Sequence, residues 1–155
     1  MTIDMLPGHS QAYVLQPEEG QLIENLRLRT LATNAQTGGT LLAGVVNNPG
    51  PGWPPLHTHL AIDELYFVLR GRYRFKISDQ EYEGGPGTFA YVPRGTSHTF
   101  ASVGPEEGQL LSITLPRTEQ FIQGISELQE RGVDQQEMVE HFHAFQTEID
   151  GPPVV

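Results

Sequence analysis

The chain has 155 residues, 19 acidic and 9 basic, for a formal net charge of −10. Its length suits one domain around a single core. No run approaches the roughly 18 apolar residues of a membrane span, and an acidic chain without a Lys/Arg cluster lacks the concentrated positive charge that nucleic-acid phosphates require. Zero Cys removes disulfides, thiolate metal sites and cysteine nucleophiles. No basic-then-apolar leader is read in residues 1–10, so the expected location is cytoplasmic.

The 17 Gly and 12 Pro make the chain turn-rich without reaching low-complexity composition, and no fixed-period repeat is visible. Leu26 to Ala32 alternates apolar and polar residues, and Thr40 to Val46 is a short apolar run. Gly38-Gly39 and Asn47-Asn48-Pro49-Gly50 read as turns. Leu65 to Leu69 is β-prone, with Gly71 after it. Arg72 to Ser78 then puts Tyr73, Phe75 and Ile77 on one face and Arg72, Arg74 and Lys76 on the other, a solvated outer stripe. Thr88 to Val92 and Gln109 to Leu115 complete a series of short strands that predicts a sandwich or barrel.

After Pro116 the period changes. Phe121, Ile122, Ile125 and Leu128 recur at helical spacing, with Thr118 as N-cap and Gly132 past the end. A second helix starts at Asp134, with Glu137 at capping-box spacing and Met138, Val139, Phe142 and Phe145 on its apolar face. Gly151 to Val155 reads as a tail, frayed or docked in extended form. The predicted layout is one domain over 1–155: an all-β body over about 10–116, then two C-terminal helices over about 118–146.

Three of the six His fall in the strand-rich middle. His57 and His59, two apart on an extended segment, project to the same face. Glu64 follows closely enough for the chain to turn and bring its carboxylate beside them, and Pro54 and Pro55 rule out a helix there. Two imidazoles and a carboxylate make a metal-binding arrangement, and a barrel could bring His98 opposite them. His9 reads as incidental in a loose terminus. His141 and His143 sit two apart on a helix and so face different sides, which suits surface or helix-packing roles. Asp63 should face away from the ligands and hydrogen-bond at the strand start, and Arg94 reads as a turn or surface cation. By alternation Tyr66 shares the face of Glu64, Phe100 that of His98, and Phe75 that of Tyr73, giving an expected lining for an apolar pocket.

Gly52-Trp-Pro-Pro-Leu-His57-Thr-His59-Leu-Ala-Ile-Asp-Glu64, six further residues and Gly71 resembles the first signature motif of the cupin superfamily. Gly87, five residues, Pro93-Arg-Gly95, two residues and His98 resembles the second. The spacing departs slightly: Gly52 leaves four residues before His57, and Gly50 leaves six, where the family pattern has five. Ser102 stands where the family's second motif closes on Asn. The resemblance implies an antiparallel jelly-roll barrel with one divalent transition metal inside, held by His57, His59, Glu64 and His98. Three neutral imidazoles and a carboxylate suit Fe, Mn, Ni, Co or Zn alike.

Within the superfamily, Pro54-Pro-Leu-His57-Thr-His59, Asp63-Glu64-Leu-Tyr-Phe-Val-Leu and Val92-Pro-Arg-Gly-Thr-Ser-His98-Thr-Phe are similar to the quercetin 2,3-dioxygenase-like single-domain cupins. That similarity implies oxygen-dependent cleavage of a flavonol or related aromatic enol, with Glu64 as ligand and as acceptor of the substrate hydroxyl proton. Two other readings stay open: a zinc-type cyclase or isomerase of a polyketide-like substrate, and a non-enzymatic small-molecule-binding module. The implied partners are a small aromatic or polyketide-like molecule and a second copy in a homodimer, with neither nucleic acid nor membrane.

Overall fold

A computed structural model describes residues 11–47, 54–116 and 118–154. His9, the Asn48-Pro49-Gly50 turn and the glycine of the first motif, Gly52, lie outside the described residues. The strands are β1 (Gln21–Ile23), β2 (Leu28–Ala32), β3 (Leu42–Asn47), β4 (Leu56–His59), β5 (Asp63–Arg70), β6 (Tyr73–Ile77), β7 (Gln80–Gly84), β8 (Phe89–Val92), β9 (Ser97–Ser102), β10 (Gln109–Leu115) and β11 (Thr147–Gly151). A 3₁₀ turn, Glu24–Leu26, follows β1, and two helices, α1 (Glu119–Arg131) and α2 (Gln135–Ala144), precede β11. The strands form two antiparallel sheets, ordered β1-β2-β3-β10-β5-β8 and β11-β4-β9-β6-β7, the jelly-roll arrangement expected from the sequence.

Strand alternation builds the interior. On β5, Glu64, Tyr66 and Val68 are buried while Phe67 and Leu69 face outward. Tyr66, Val68, Tyr73, Phe75, Val92, Phe100 and Leu110 form one buried cluster between the sheets. Each such side chain removed from water contributes about 1.5–3 kcal/mol. Arg72 and Arg74, on the outer face of β6, pair with Glu83 at 3.1 and 2.7 Å. Gly71 turns the chain from β5 to β6 at φ +76°, and a Cβ there would lie 2.8 Å from the Gly108 Cα. Both facts require glycine at the motif's closing position.

The helices close one end of the barrel. The Asp134 carboxylate accepts the Glu137 N–H at 3.0 Å, capping α2, and Gly132 ends α1 in the left-handed region. Phe121, Ile125 and Phe142 form a second buried cluster, against which Leu26, Ile122, Met138, Phe145 and Ile149 pack. Thr118 begins α1 without a side-chain cap; its hydroxyl pairs instead with Thr114. Gly124 permits the close approach of α1 and α2, because a Cβ there would meet the His141 ring at 2.1 Å.

The sequence places no strand after the second helix. Thr147–Gly151 is nevertheless a strand, and it pairs antiparallel with β4 in the register Thr147↔His59, Glu148↔Thr58, Ile149↔His57. The tail thus returns to the barrel alongside two of the candidate ligands.

Candidate metal centre

Two strand pairs deliver the four side chains. His57 and His59 project inward from β4, and His98 from β9, with His57 and His98 directly opposite in the ladder. Glu64 comes from β5 in the other sheet. One potential donor atom from each of His57, His59, Glu64 and His98 lies within 4.8 Å of all the others, and all four residues are buried. His57 Nε2 is 3.1 Å from His59 Nε2, His98 Nε2 is 2.5 Å from Glu64 Oε2, and His59 Nε2 is 3.6 Å from the same oxygen. Neighbouring ligands on bonds of about 2.1 Å sit roughly 3 Å apart, so the spacing fits one ion.

The surroundings fix which nitrogen is offered. His57 Nδ1 donates to the Pro55 carbonyl at 2.7 Å, and His98 Nδ1 to that of Thr96 at 2.9 Å. Carbonyls only accept, so each neutral ring keeps its proton on Nδ1 and turns an Nε2 lone pair inward. At 2.5 Å the His98 lone pair and the Glu64 carboxylate are two acceptors that need a cation between them, a proton or a metal. Tyr66 donates to Glu64 Oε2 at 2.8 Å. The donor chemistry therefore fits a divalent transition metal.

Electrostatics agree. Burial, with the neighbouring His98 and His59 charges, pulls His57 down to about 3, so its imidazole is neutral over the ordinary pH range. Burial likewise lowers His59, against the attraction of Glu64. Burial also opposes charge on His98, yet its hydrogen bond and attraction to Glu64 raise it. Glu64 is pushed up by burial but held well below the usual carboxylate range by His59 and His98. Burial and the adjacent Glu64 charge raise Tyr66, keeping its phenol protonated as a donor.

A cavity of about 350 Å³ opens beside the cluster. His57, His59 and Glu64 line it, together with Tyr66, Phe100, Leu28, Leu42 and Val46 from the barrel. Phe121, Ile122, Ile125 and Gln129 of α1, with Phe142 of α2, form its roof, and Asn25 and Arg27 stand at the 3₁₀ turn. Asn25 ties that turn to α1, donating to the Ser126 carbonyl at 2.9 Å and accepting from the Ser126 hydroxyl at 2.6 Å. Phe75, expected in the lining, packs instead in the barrel cluster, 6.4 Å from the Phe100 ring and 6.1 Å from that of Tyr66.

Asp63 points away from the ligands, as its position on β5 dictates. It holds the Arg94 backbone N–H at 2.9 Å and the guanidinium at 3.1 and 3.0 Å, tying the turn before His98 to the strand of Glu64. His141 stacks on Phe121 with ring centroids 5.6 Å apart and donates to its carbonyl at 2.9 Å, a helix-packing role. His143 is exposed, and neither joins the cluster. The sequence reading did not single out Thr147, whose hydroxyl meets His59 Nδ1 at 2.7 Å, or Asp150, which accepts from Thr58 at 2.5 Å and Ser97 at 2.8 Å. The only signal for either was the weak alternation of Thr147-Glu-Ile-Asp150.

A two-sheet antiparallel barrel enclosing three inward imidazoles and a carboxylate defines a class of metal-binding jelly rolls. Residues 45–114 match the family described as Cupin domain. The quercetin 2,3-dioxygenase of Bacillus subtilis is 31% identical over 99 residues, covering 61% of this chain and 29% of that enzyme. The chain spans less than half the length of the curated relatives it matches. Among solved structures, KdgF from Halomonas sp. is 17% identical with a TM-score of 0.56, covering 72% of this chain and 98% of that one. A predicted oxalate decarboxylase from Thermotoga maritima is 19% identical with a TM-score of 0.54, covering 57% and 78%. At such identities these structures share the fold alone. No described helix is long and apolar enough to cross a membrane.

Proposed function

We propose that the protein is a metal-dependent dioxygenase acting on a flavonol-like or other enolic aromatic small molecule. The observation that carries this reading is the buried His57, His59, Glu64, His98 cluster facing an apolar, aromatic-lined cavity. The local likeness to a quercetin 2,3-dioxygenase supports the choice of reaction. One divalent transition metal of the Fe, Mn, Ni, Co or Zn group, held by those four residues, would supply Lewis acidity toward the substrate oxygen and, in its redox-active forms, a route for oxygen chemistry.

The remaining work falls to the chain. Glu64, kept ionised by its imidazole neighbours, accepts the proton of an enol or phenol hydroxyl entering the cavity. Tyr66, a neutral phenol, holds Glu64 Oε2 at 2.8 Å and fixes the direction of the other carboxylate oxygen. Phe100, Phe121 and Phe142 offer apolar walls to a flat ring and exclude water from the reacting face. The working assembly in this reading is a homodimer. Phe67 and Phe89, opposite each other in the ladder and exposed with Tyr91 on the outer sheet face, support it.

Oxygen consumption tests the reaction. Protein loaded separately with Fe, Mn, Ni or Co should consume oxygen only when a flavonol or comparable enol is supplied. Equal turnover with and without oxygen would replace the dioxygenase by a cyclase or isomerase. Tight binding of such a compound with no conversion under any of these metals would leave a small-molecule-binding module.

A further inference from the structure

The three imidazoles of the cluster are not held alike. His57 and His98 turn their outer nitrogens to backbone carbonyls, which only accept. His59 turns its Nδ1 to the Thr147 hydroxyl at 2.7 Å, a group that either donates or accepts. Thr147 is fully buried at 0% exposure, and a second acceptor, the Phe145 carbonyl, lies 3.4 Å from its oxygen. β11 carries Thr147 directly opposite His59, so the hydroxyl is delivered by ladder register.

We propose that Thr147 is a positioning residue that lets His59 change tautomer between the metal-free and metal-bound protein. The inference rests on the site holding a metal, not on the reaction it performs. His57 Nε2, with the ring's proton held on Nδ1 by the Pro55 carbonyl, presents a lone pair to His59 Nε2 at 3.1 Å. The contact is a hydrogen bond only when His59 carries its proton on Nε2. His59 Nδ1 is then an acceptor, and the Thr147 hydroxyl donates to it. Ligation requires the Nε2 lone pair, so that proton leaves and, through cavity water, one proton arrives at Nδ1. The Nδ1–H then donates to the Thr147 oxygen, whose hydrogen turns to the Phe145 carbonyl. The His59 ring is neutral before and after, so this residue itself releases no net proton. A carbonyl in place of Thr147 would fix the Nδ1–H form and leave two facing lone pairs in the metal-free state. A hydrocarbon there would leave Nδ1 unpartnered in both states. The hydroxyl alone serves both.

Nitrogen NMR of the full chain, ¹⁵N-labelled at histidine, reads the tautomer directly, with diamagnetic Zn²⁺ as the probe. The expected spectra show His59 protonated at Nε2 without metal and at Nδ1 with Zn²⁺, while His57 carries its proton on Nδ1 in both. Zn²⁺ affinity by chelator competition should fall roughly 10- to 100-fold in Thr147→Val, the usual loss when a ligand's outer partner is removed, and recover in Thr147→Ser. The same His59 tautomer in both states, or unchanged affinity in Thr147→Val, overturns the proposal while leaving the metal reading intact. Failure of the wild-type protein to bind Zn²⁺ overturns both. The wild-type spectra decide the matter even where Thr147→Val does not fold.

Discussion

Truncating Phe142 tests whether the C-terminal helices are part of the site or an appendage. The ring is 2% exposed, packs edge-on to Phe121 at 5.1 Å and to His57 at 6.4 Å, and forms part of the cavity roof. Phe→Ala in a core costs about 3–5 kcal/mol, and the cost rises with the void left behind. Here the removed ring borders an existing cavity, so the low end, about 3 kcal/mol, is the appropriate figure. For a chain of this size each kcal/mol lowers Tm by roughly 2–4 °C, which sets an expected drop of about 6–12 °C for Phe142→Ala. Thermal unfolding by circular dichroism measures it. Losing one wall of the His57 pocket should also admit water beside the cluster and weaken Zn²⁺ binding in the same variant. A Tm within about 2 °C of wild type would refute the packing argument and detach the helices from the site.

Two further expectations concern the cluster. Glu64→Gln keeps the size and one ligating oxygen but removes the charge and the basic acceptor. At matched metal loading, oxygen consumption should fall roughly 10²–10⁴-fold with substrate binding retained, and an unchanged rate would remove Glu64 from proton transfer. Metal affinity should rise with pH through the neutral range. His98 is raised above the ordinary His value by Glu64, so its proton competes with the ion until pH passes that raised value, whereas His57, at about 3, competes only in strong acid. In the metal-free protein the sign is opposite: the His98–Glu64 pair stabilises the fold at acid pH and is lost as pH rises through the raised value. A flat affinity profile between pH 6 and 8, about the unperturbed His value, would contradict the assignment of His98.

The four candidate ligands were readable from sequence partly from local rules and partly from the resemblance to the two family motifs, which implies the full set. Alternation puts His57 and His59 on one face, and the two motifs set Glu64 and His98 at fixed offsets from their turns. The same alternation gave the face of Tyr66, Phe100 and Phe75 but not their depth. Phe75 lies opposite Phe100 in the ladder and shares its interior face, yet only Phe100 reaches the cavity, because depth depends on how both sheets and the helical roof close. Asp63 faces outward as alternation with Glu64 requires, while its partner Arg94 is brought in by a pairing 31 residues away. Thr147 escaped for a related reason. Its short strand holds one inward apolar residue, Ile149, and pairs with a strand 88 residues back, so nothing local distinguishes it from a tail.

The central claim is that His57, His59, Glu64 and His98 bind one metal ion. Element-resolved analysis of untagged protein, wild type beside His59→Ala, His98→Ala, His141→Ala and His143→Ala, tests it most directly. The account predicts one transition metal per chain in the wild type, sharply reduced occupancy in the first two variants, and wild-type occupancy in the last two. Full metal retention in both His59→Ala and His98→Ala would contradict it and put the ion elsewhere.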